Sequence, residues 1–271
     1  MKNYKCLTND SSLASAIFVP FYAGLDLRRH LWGHRTSVRD ASGFELVKWL
    51  TEKPEWKKMW GIDHFLVTGR ISRDFMRKSD NNSEWGSKFR FLPEARNMSM
   101  LSVESSLNNI NNNDFAIPYP TSFHPSTEIE VSQWQDRMRR QNRPHLFSFT
   151  GARRSGNKGS LRDIIINQCL ESSNNSCKYM DCSSSGSRKS LEDRKSRFII
   201  NETLVGVSKE EQKAMREEVI RLIPRIVYAD NTRLETGFED AFDLAVKGIL
   251  DKIETSRRVI KEKEKAMDLI R

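Results

Sequence analysis

The stretch from residue 145 to residue 181 constrains the fold of this chain more than any other. Residues 145–150 form an apolar, β-prone run that stops at Gly151, and a loop containing glycine and arginine continues to Gly159. Ser160 then opens a helix whose stripe is Leu161, Ile164, Ile165, Gln168 and Cys169, and residues 178–181 read as a second strand. Strand, loop, helix and strand in succession make a βαβ unit, which needs a parallel sheet covered by helices. The first half follows the same alternation. Residues 16–22 and 64–68 are strand candidates, residues 89–92, 98–103 and 115–117 are short extended segments, and residues 44–50 carry Leu46, Val47 and Leu50 at helical spacing before Pro54. The expected class is α/β.

Proline punctuation divides the chain. Pro118-Tyr119-Pro120 with Pro125 excludes regular structure and marks a connection, followed by a helix over 129–143 with Trp134 and Met138 on one face. The expected organisation is a lobe over 1–125, a connecting helix over 126–144 and a second lobe over 145–271. In that second part the Ser/Arg/Lys-rich stretch 183–197 has no apolar period. Ser208 and Glu211 then form a capping box. Met215, Val219, Leu222, Ile223 and Ile226 make an apolar stripe, and the last helix turns Phe238, Phe242, Ala245, Ile249 and Ile253 inward. Two strands cannot cover three such helices, so the second lobe reads as short of strands.

Composition narrows the partners. Forty-five Lys and Arg face 36 Asp and Glu, a net charge of +9, with the basic residues scattered rather than clustered. A solvated basic surface and a specific anion site both remain open. Without a recognisable motif or basic face, nucleic acid is not an expected partner. No run approaches the ~20 apolar residues that span a bilayer and no leader-like segment opens the sequence, so the chain reads as soluble or as the lumenal part of a longer protein. The four cysteines, Cys6, Cys169, Cys177 and Cys182, lack zinc-ligand spacing, and no metal is expected. A Cys169–Cys177 disulfide and isolated thiols are both compatible with their positions. Glycosylation sequons occur at Asn9, Asn81, Asn97, Asn174 and Asn201.

Three groups could carry chemistry. The loop at Gly151, Arg153 and Arg154 joins a strand to a helix N-terminus, where unpaired N–H groups and bidentate arginines suit a diphosphate; a solvated turn is the competing reading. Asp63 beside His64 could supply a general base, though a histidine next to a strand is commonly structural. His30 and His34, four residues apart without a carboxylate, read as surface or acceptor-groove residues. The six tryptophans are expected mostly in the core, and any that is exposed could stack on a sugar ring.

Several segments together resemble one family. They are residues 4–26, Asp63-His-Phe-Leu-Val-Thr-Gly-Arg70, residues 85–101, Asp114-Phe-Ala-Ile-Pro-Tyr-Pro120, Phe149-Thr-Gly-Ala-Arg153 and Glu218-Val-Ile-Arg-Leu-Ile-Pro-Arg225. In order and over nearly the whole chain they are similar to the exostosin-like family 47 glycosyltransferases, in the plant xyloglucan galactosyltransferase branch. The resemblance implies a GT-B-like arrangement of two Rossmann-like lobes, the C-terminal one incomplete. It implies a Golgi type II membrane protein that transfers a sugar, galactose from UDP-galactose, with inversion onto a cell-wall polysaccharide such as xyloglucan. The UDP-sugar would be a co-substrate, with no tightly bound cofactor, and other Golgi glycosyltransferases would be possible partners. Asp63 and His64 would serve the acceptor or the base, and Gly151 and Arg153 the donor phosphates. One departure stands out: the family's Pro-Pro-Gly-Asp, paired-Arg and Gly-Cys-Ile-Pro segments, expected after residue 181, are missing. A non-catalytic protein that binds polysaccharide or a transferase is therefore the alternative expectation.

Overall fold

The computed structural model describes residues 6–104, 113–153, 159–172, 176–182, 204–230 and 237–268. The chain divides into two compact units, Met1–Val131 with Ile223–Arg271, and Ser132–Leu222.

The first unit is built on four parallel strands in sequential order, β1 (Ile17–Phe18), β2 (His64–Val67), β3 (Ser99–Ser102) and β4 (Asp114–Ala116). All four residues of β3 are buried, as expected for a strand covered on both faces. Side chains alternate across the sheet. Leu66 and Met100 face a core with Val19, Leu27, Val47, Leu50, Trp56 and Phe75. That core draws on α1 (Ala23–His30), α2 (Thr36–Thr51) and α3 (Pro54–Met59), with Ala95 of α4 (Pro93–Asn97). Phe65 and Leu101 point the other way, onto Ile249 and Ile253.

Those two isoleucines belong to the last helix, Ala241–Asp268. This corrects the expected division at residue 145: the C-terminal helix covers the second face of the first sheet, and the 223–271 segment belongs with the first unit. The reason is demand for burial. A four-stranded parallel sheet needs helices on both faces, and only one face is served by the helices that lie between its strands. Residues 89–92, expected to be extended, form a 3₁₀ turn over Phe89–Phe91 that buries Phe89 against Gly43 of α2 and the Phe21 ring.

The second unit contains the expected βαβ: β5 (Phe147–Thr150), α6 (Leu161–Glu171) and β6 (Cys177–Met180), the strands parallel and in register from Phe147↔Cys177 to Thr150↔Met180. The Ser160 hydroxyl caps α6 by accepting from the Asp163 amide. Cys169 and Cys177 are bonded to each other and tie α6 to β6 across a separation of 8 residues. For a loop of that size the chain-entropy model gives about 2.5 kcal/mol. Reduction, or the pair Cys169→Ala and Cys177→Ala, is expected to destabilise this unit by about that amount, read as the difference between oxidised and reduced protein in urea unfolding followed by proteolysis of the unit.

Among its described residues the unit also holds the greater part of α5 (Glu128–Arg140) and α7 (Lys209–Arg221). The Ser208–Glu211 capping box is present at the start of α7. Contrary to expectation, Met215, Val219 and Leu222 are exposed. The face of α7 that docks on α5 carries Arg216, Glu217 and Ile220 instead. Arg216 donates to the carbonyls of Arg139 and Gln141 at 2.8 and 2.9 Å, so it satisfies the open end of α5. Glu217 pairs with Arg139 at 2.6 Å, and the Gln135 amide donates to the Ile220 carbonyl.

Candidate functional site

Four parallel strands running the same way gather their carboxyl ends on one edge, the edge where α/β sheets hold ligands. Three close contacts shape this edge. A Cβ on Gly24, in the first turn of α1, would lie 2.2 Å from the Thr68 carbonyl oxygen, so only glycine lets α1 approach the end of β2. The Thr68 hydroxyl donates to the Arg70 carbonyl at 2.9 Å and fixes the turn after β2. The Ser72 amide donates to the Glu104 carbonyl at 2.9 Å and joins that turn to the end of β3.

Charged and aromatic side chains stand on this frame. Arg70 Nε meets Asp74 Oδ2 at 2.5 Å, and the Trp85 indole Nε1 donates to Asp74 Oδ1 at 2.7 Å. Asp74 is buried, and these two donors supply the hydrogen bonds that its carboxylate needs away from water. Trp85 meets Trp32 edge to face, with centroids 4.9 Å apart. Glu104, exposed just beyond β3, accepts a hydrogen bond from the Tyr119 hydroxyl at 2.8 Å. That bond, with some burial and the charges of Glu104 and Asp74, raises the Tyr119 pKa above its ordinary value and keeps the phenol a donor. The edge thus offers aromatic faces, an exposed carboxylate and an arginine, which suits a ligand with many hydroxyls. No group of three or more metal-capable side chains is present among the described residues.

The residues singled out from the sequence lie elsewhere. Asp63 and His64 stand at the amino end of β2, opposite the site. His64 is 2% exposed, its Nδ1 sits 2.8 Å from Asp63 Oδ1, and its ring meets Trp56 edge to face. The Asp63 carbonyl accepts from the Ile17 amide, so the pair secures the β1–β2 junction and cannot reach a ligand at the carboxyl edge. His30 and His34 meet edge to face near the end of α1, His34 being exposed.

In the second unit, the Gly151 amide is already given to the Met180 carbonyl and its own carbonyl accepts from Tyr179. Arg153 is held by Asn167 at 2.5 Å and by Asp163 at 3.5 Å. Arg154 lies outside the described residues, as do Asn174 and Asn201. Asn9 and Asn81 are exposed. Asn97 is half-buried, its amide donates to the Trp60 carbonyl, and the Ser99 of its sequon is fully buried.

Sequence reasoning missed Glu104, Arg70 and the Trp32–Trp85 pair. A carboxylate directly after a predicted strand was the available signal for Glu104. Nothing local announces the others, because they converge only when the sheet assembles.

Sequence reasoning also missed a buried polar group at the amino ends of β3 and β4. Arg90 pairs with Asp114 at 2.7 Å, and the Lys252 amine donates to the Ser99 hydroxyl at 3.1 Å. Burial, reinforced by the Arg90 charge and opposed by Asp114, lowers the Lys252 pKa to about 8 from an ordinary 10.5. A lysine whose folded pKa lies below its unfolded one destabilises the fold while it is charged. Stability is therefore expected to rise between about pH 8 and pH 10.5. Lys252→Met should remove that rise, which is read as the wild-type minus variant difference in unfolding free energy across the interval.

Comparison with known proteins places this architecture. The Exostosin GT47 domain family matches residues 1–214. Xyloglucan galactosyltransferase MUR3 of Arabidopsis thaliana is 43% identical over 326 aligned positions, covering 95% of this chain and 52% of that protein. Probable xyloglucan galactosyltransferase GT15 of the same plant is 42% identical, covering 95% and 68%. Probable xyloglucan galactosyltransferase GT14 is 59% identical over 182 residues, covering 67% and 34%. The chain thus spans about half the length of the first of these relatives. An alignment of 326 positions cannot be filled by 271 residues, so at least 55 positions internal to it hold residues that only the relative has. No solved structure matches. The family match and the coverage by these relatives leave one assignment: the chain belongs to the exostosin GT47 family.

Proposed function

We propose that this protein is a glycosyltransferase that moves galactose from UDP-galactose, with inversion, onto xyloglucan in the Golgi lumen. The observation that carries the reading is the family match across residues 1–214, joined by relatives named for xyloglucan galactosyl transfer. In this reading the two units are the lobes of a GT-B arrangement, with the acceptor at the carboxyl edge of the first sheet. Glu104 is the general base. It takes the proton of the acceptor hydroxyl, the oxygen's electron pair forms the bond to the anomeric carbon, and the bond from that carbon to the diphosphate breaks with its electrons leaving on the diphosphate. The donor, which is a co-substrate rather than a resident cofactor, is the ligand of the second unit. A lumenal compartment agrees with the Cys169–Cys177 bond, since disulfides persist where the environment is oxidising. Other Golgi glycosyltransferases are the macromolecular partners that this setting supplies.

A second reading is favoured by two specific observations. The second sheet has two strands among the described residues, and at least 55 positions of the longer relative have no counterpart here. If those residues build the donor pocket, the chain binds polysaccharide without transferring sugar. Incubation with radiolabelled UDP-galactose and galactose-free xyloglucan separates the two. Label in the polymer supports transfer; absence of label with oligosaccharide binding intact supports the second reading.

A further inference from the structure

Trp32 and Trp85 form a pair whose placement packing alone does not explain. Trp32 follows α1 in a turn that passes through Gly33 at φ 76°, and it is 71% exposed; Trp85 is 39% exposed. Large indoles left in water are unfavourable, and exposed aromatics grouped with polar residues mark binding surfaces. Trp85 is also held still. Its indole donates to the buried carboxylate of Asp74, the Ser87 amide donates to the Asp74 carbonyl, and Gly86 at φ 85° brings the backbone so close that a Cβ would lie 2.3 Å from that same carbonyl oxygen. Asp74 in turn receives Arg70, whose carbonyl accepts from the amide of Val103, the residue before Glu104, the partner of Tyr119. The rings stand 72° apart, so two faces are presented at an angle.

We infer that Trp32 and Trp85 form a stacking platform for a pyranose ring of a neutral oligosaccharide, so that this chain holds its acceptor by contacts that need no nucleotide sugar. This rests on the polysaccharide-acceptor reading above. The apolar face of a sugar ring covers an indole, while its hydroxyls reach the carboxylate, phenol and guanidinium alongside. The ligand chemistry is therefore that of a neutral polyhydroxyl chain.

The test is titration of the whole chain with xyloglucan-derived oligosaccharides, without donor, followed by tryptophan fluorescence and by calorimetry. Trp32→Ala should weaken binding about tenfold or more while thermal unfolding stays unchanged, because the side chain is largely in water. Trp85→Phe keeps a ring but loses the bond to Asp74, and should bind more weakly than wild type and more tightly than Trp32→Ala. Wild-type affinity in Trp32→Ala overturns the inference, and so does a wild-type chain that binds no oligosaccharide saturably. The transfer reading fails separately. Absence of label incorporation with tryptophan-dependent binding removes transfer and keeps the platform, whereas label incorporation with undiminished affinity in Trp32→Ala does the reverse.

Discussion

Arg77→Ala is expected to destabilise the first unit by about 3–5 kcal/mol, the cost of leaving a buried charge without its partner. Arg77 has no exposed side-chain surface, and its partner Asp40 on α2 is 4% exposed. Besides that ion pair, Arg77 Nε donates to the Gly86 carbonyl at 3.1 Å and Nη1 reaches Asp80 at 3.2 Å. Asp40 also accepts from the Lys88 amide at 3.0 Å. Its neighbour Arg39 donates to the carbonyls of Asn82, Glu84 and Gly86. Two arginines so close in the interior repel each other, and burial, with the Arg77 charge, lowers the Arg39 pKa. Together they tie the 77–88 loop to α2, and that loop carries Trp85.

Arg77→Lys should recover little, because a point charge cannot replace a planar fork with several fixed acceptors. Replacing both partners, Arg77→Met with Asp40→Leu, should recover much of the loss, since no orphaned charge remains. Urea unfolding measures all three. A loss below about 1 kcal/mol for Arg77→Ala, the size of an exposed ion pair, would show that the pair is hydrated rather than buried.

On the transfer reading proposed above, Glu104→Gln is expected to lower the rate of galactosyl transfer by about 10²–10⁴, the usual contribution of a positioned general base. The amide keeps the side chain's shape and can still accept from the Tyr119 hydroxyl, so the apparent KM for the polysaccharide should change little. Oligosaccharide binding should persist while transfer falls, a split that a purely structural role would not produce. Asp63→Asn serves as the contrast: it alters the buried contact with His64 and should act on stability rather than on the turnover of folded protein. A near-wild-type rate in Glu104→Gln would assign the base elsewhere.

Local chemistry made much of this protein legible before any coordinates. The βαβ over 145–181 was readable because apolar period, loop glycine and helix cap all agree within 40 or so residues of chain. The Ser208–Glu211 capping box was readable for the same reason. Family membership was legible too, since ordered motifs survive in the sequence itself. The sequence alone does not decide between thiols and a disulfide at Cys169 and Cys177, because pairing depends on how α6 and β6 approach.

What the chain's linear order could not express is adjacency between distant segments. Trp32, Arg70, Trp85, Glu104 and Tyr119 share one edge only because four strands run parallel in the order β1-β2-β3-β4. Asp63 and His64 are adjacent in sequence, and the register of His64 with Ile17 sets it at the amino end of β2, away from the carboxyl edge. The stripe on α7 looked like core, but α5 offered partners to the face carrying Arg216, Glu217 and Ile220. Ile249 and Ile253 went to the first sheet rather than to the nearer strands in sequence, because that sheet had an uncovered face. Periodicity specifies that a face must be buried; which surface buries it is settled by the competition among all the faces that assembly brings together.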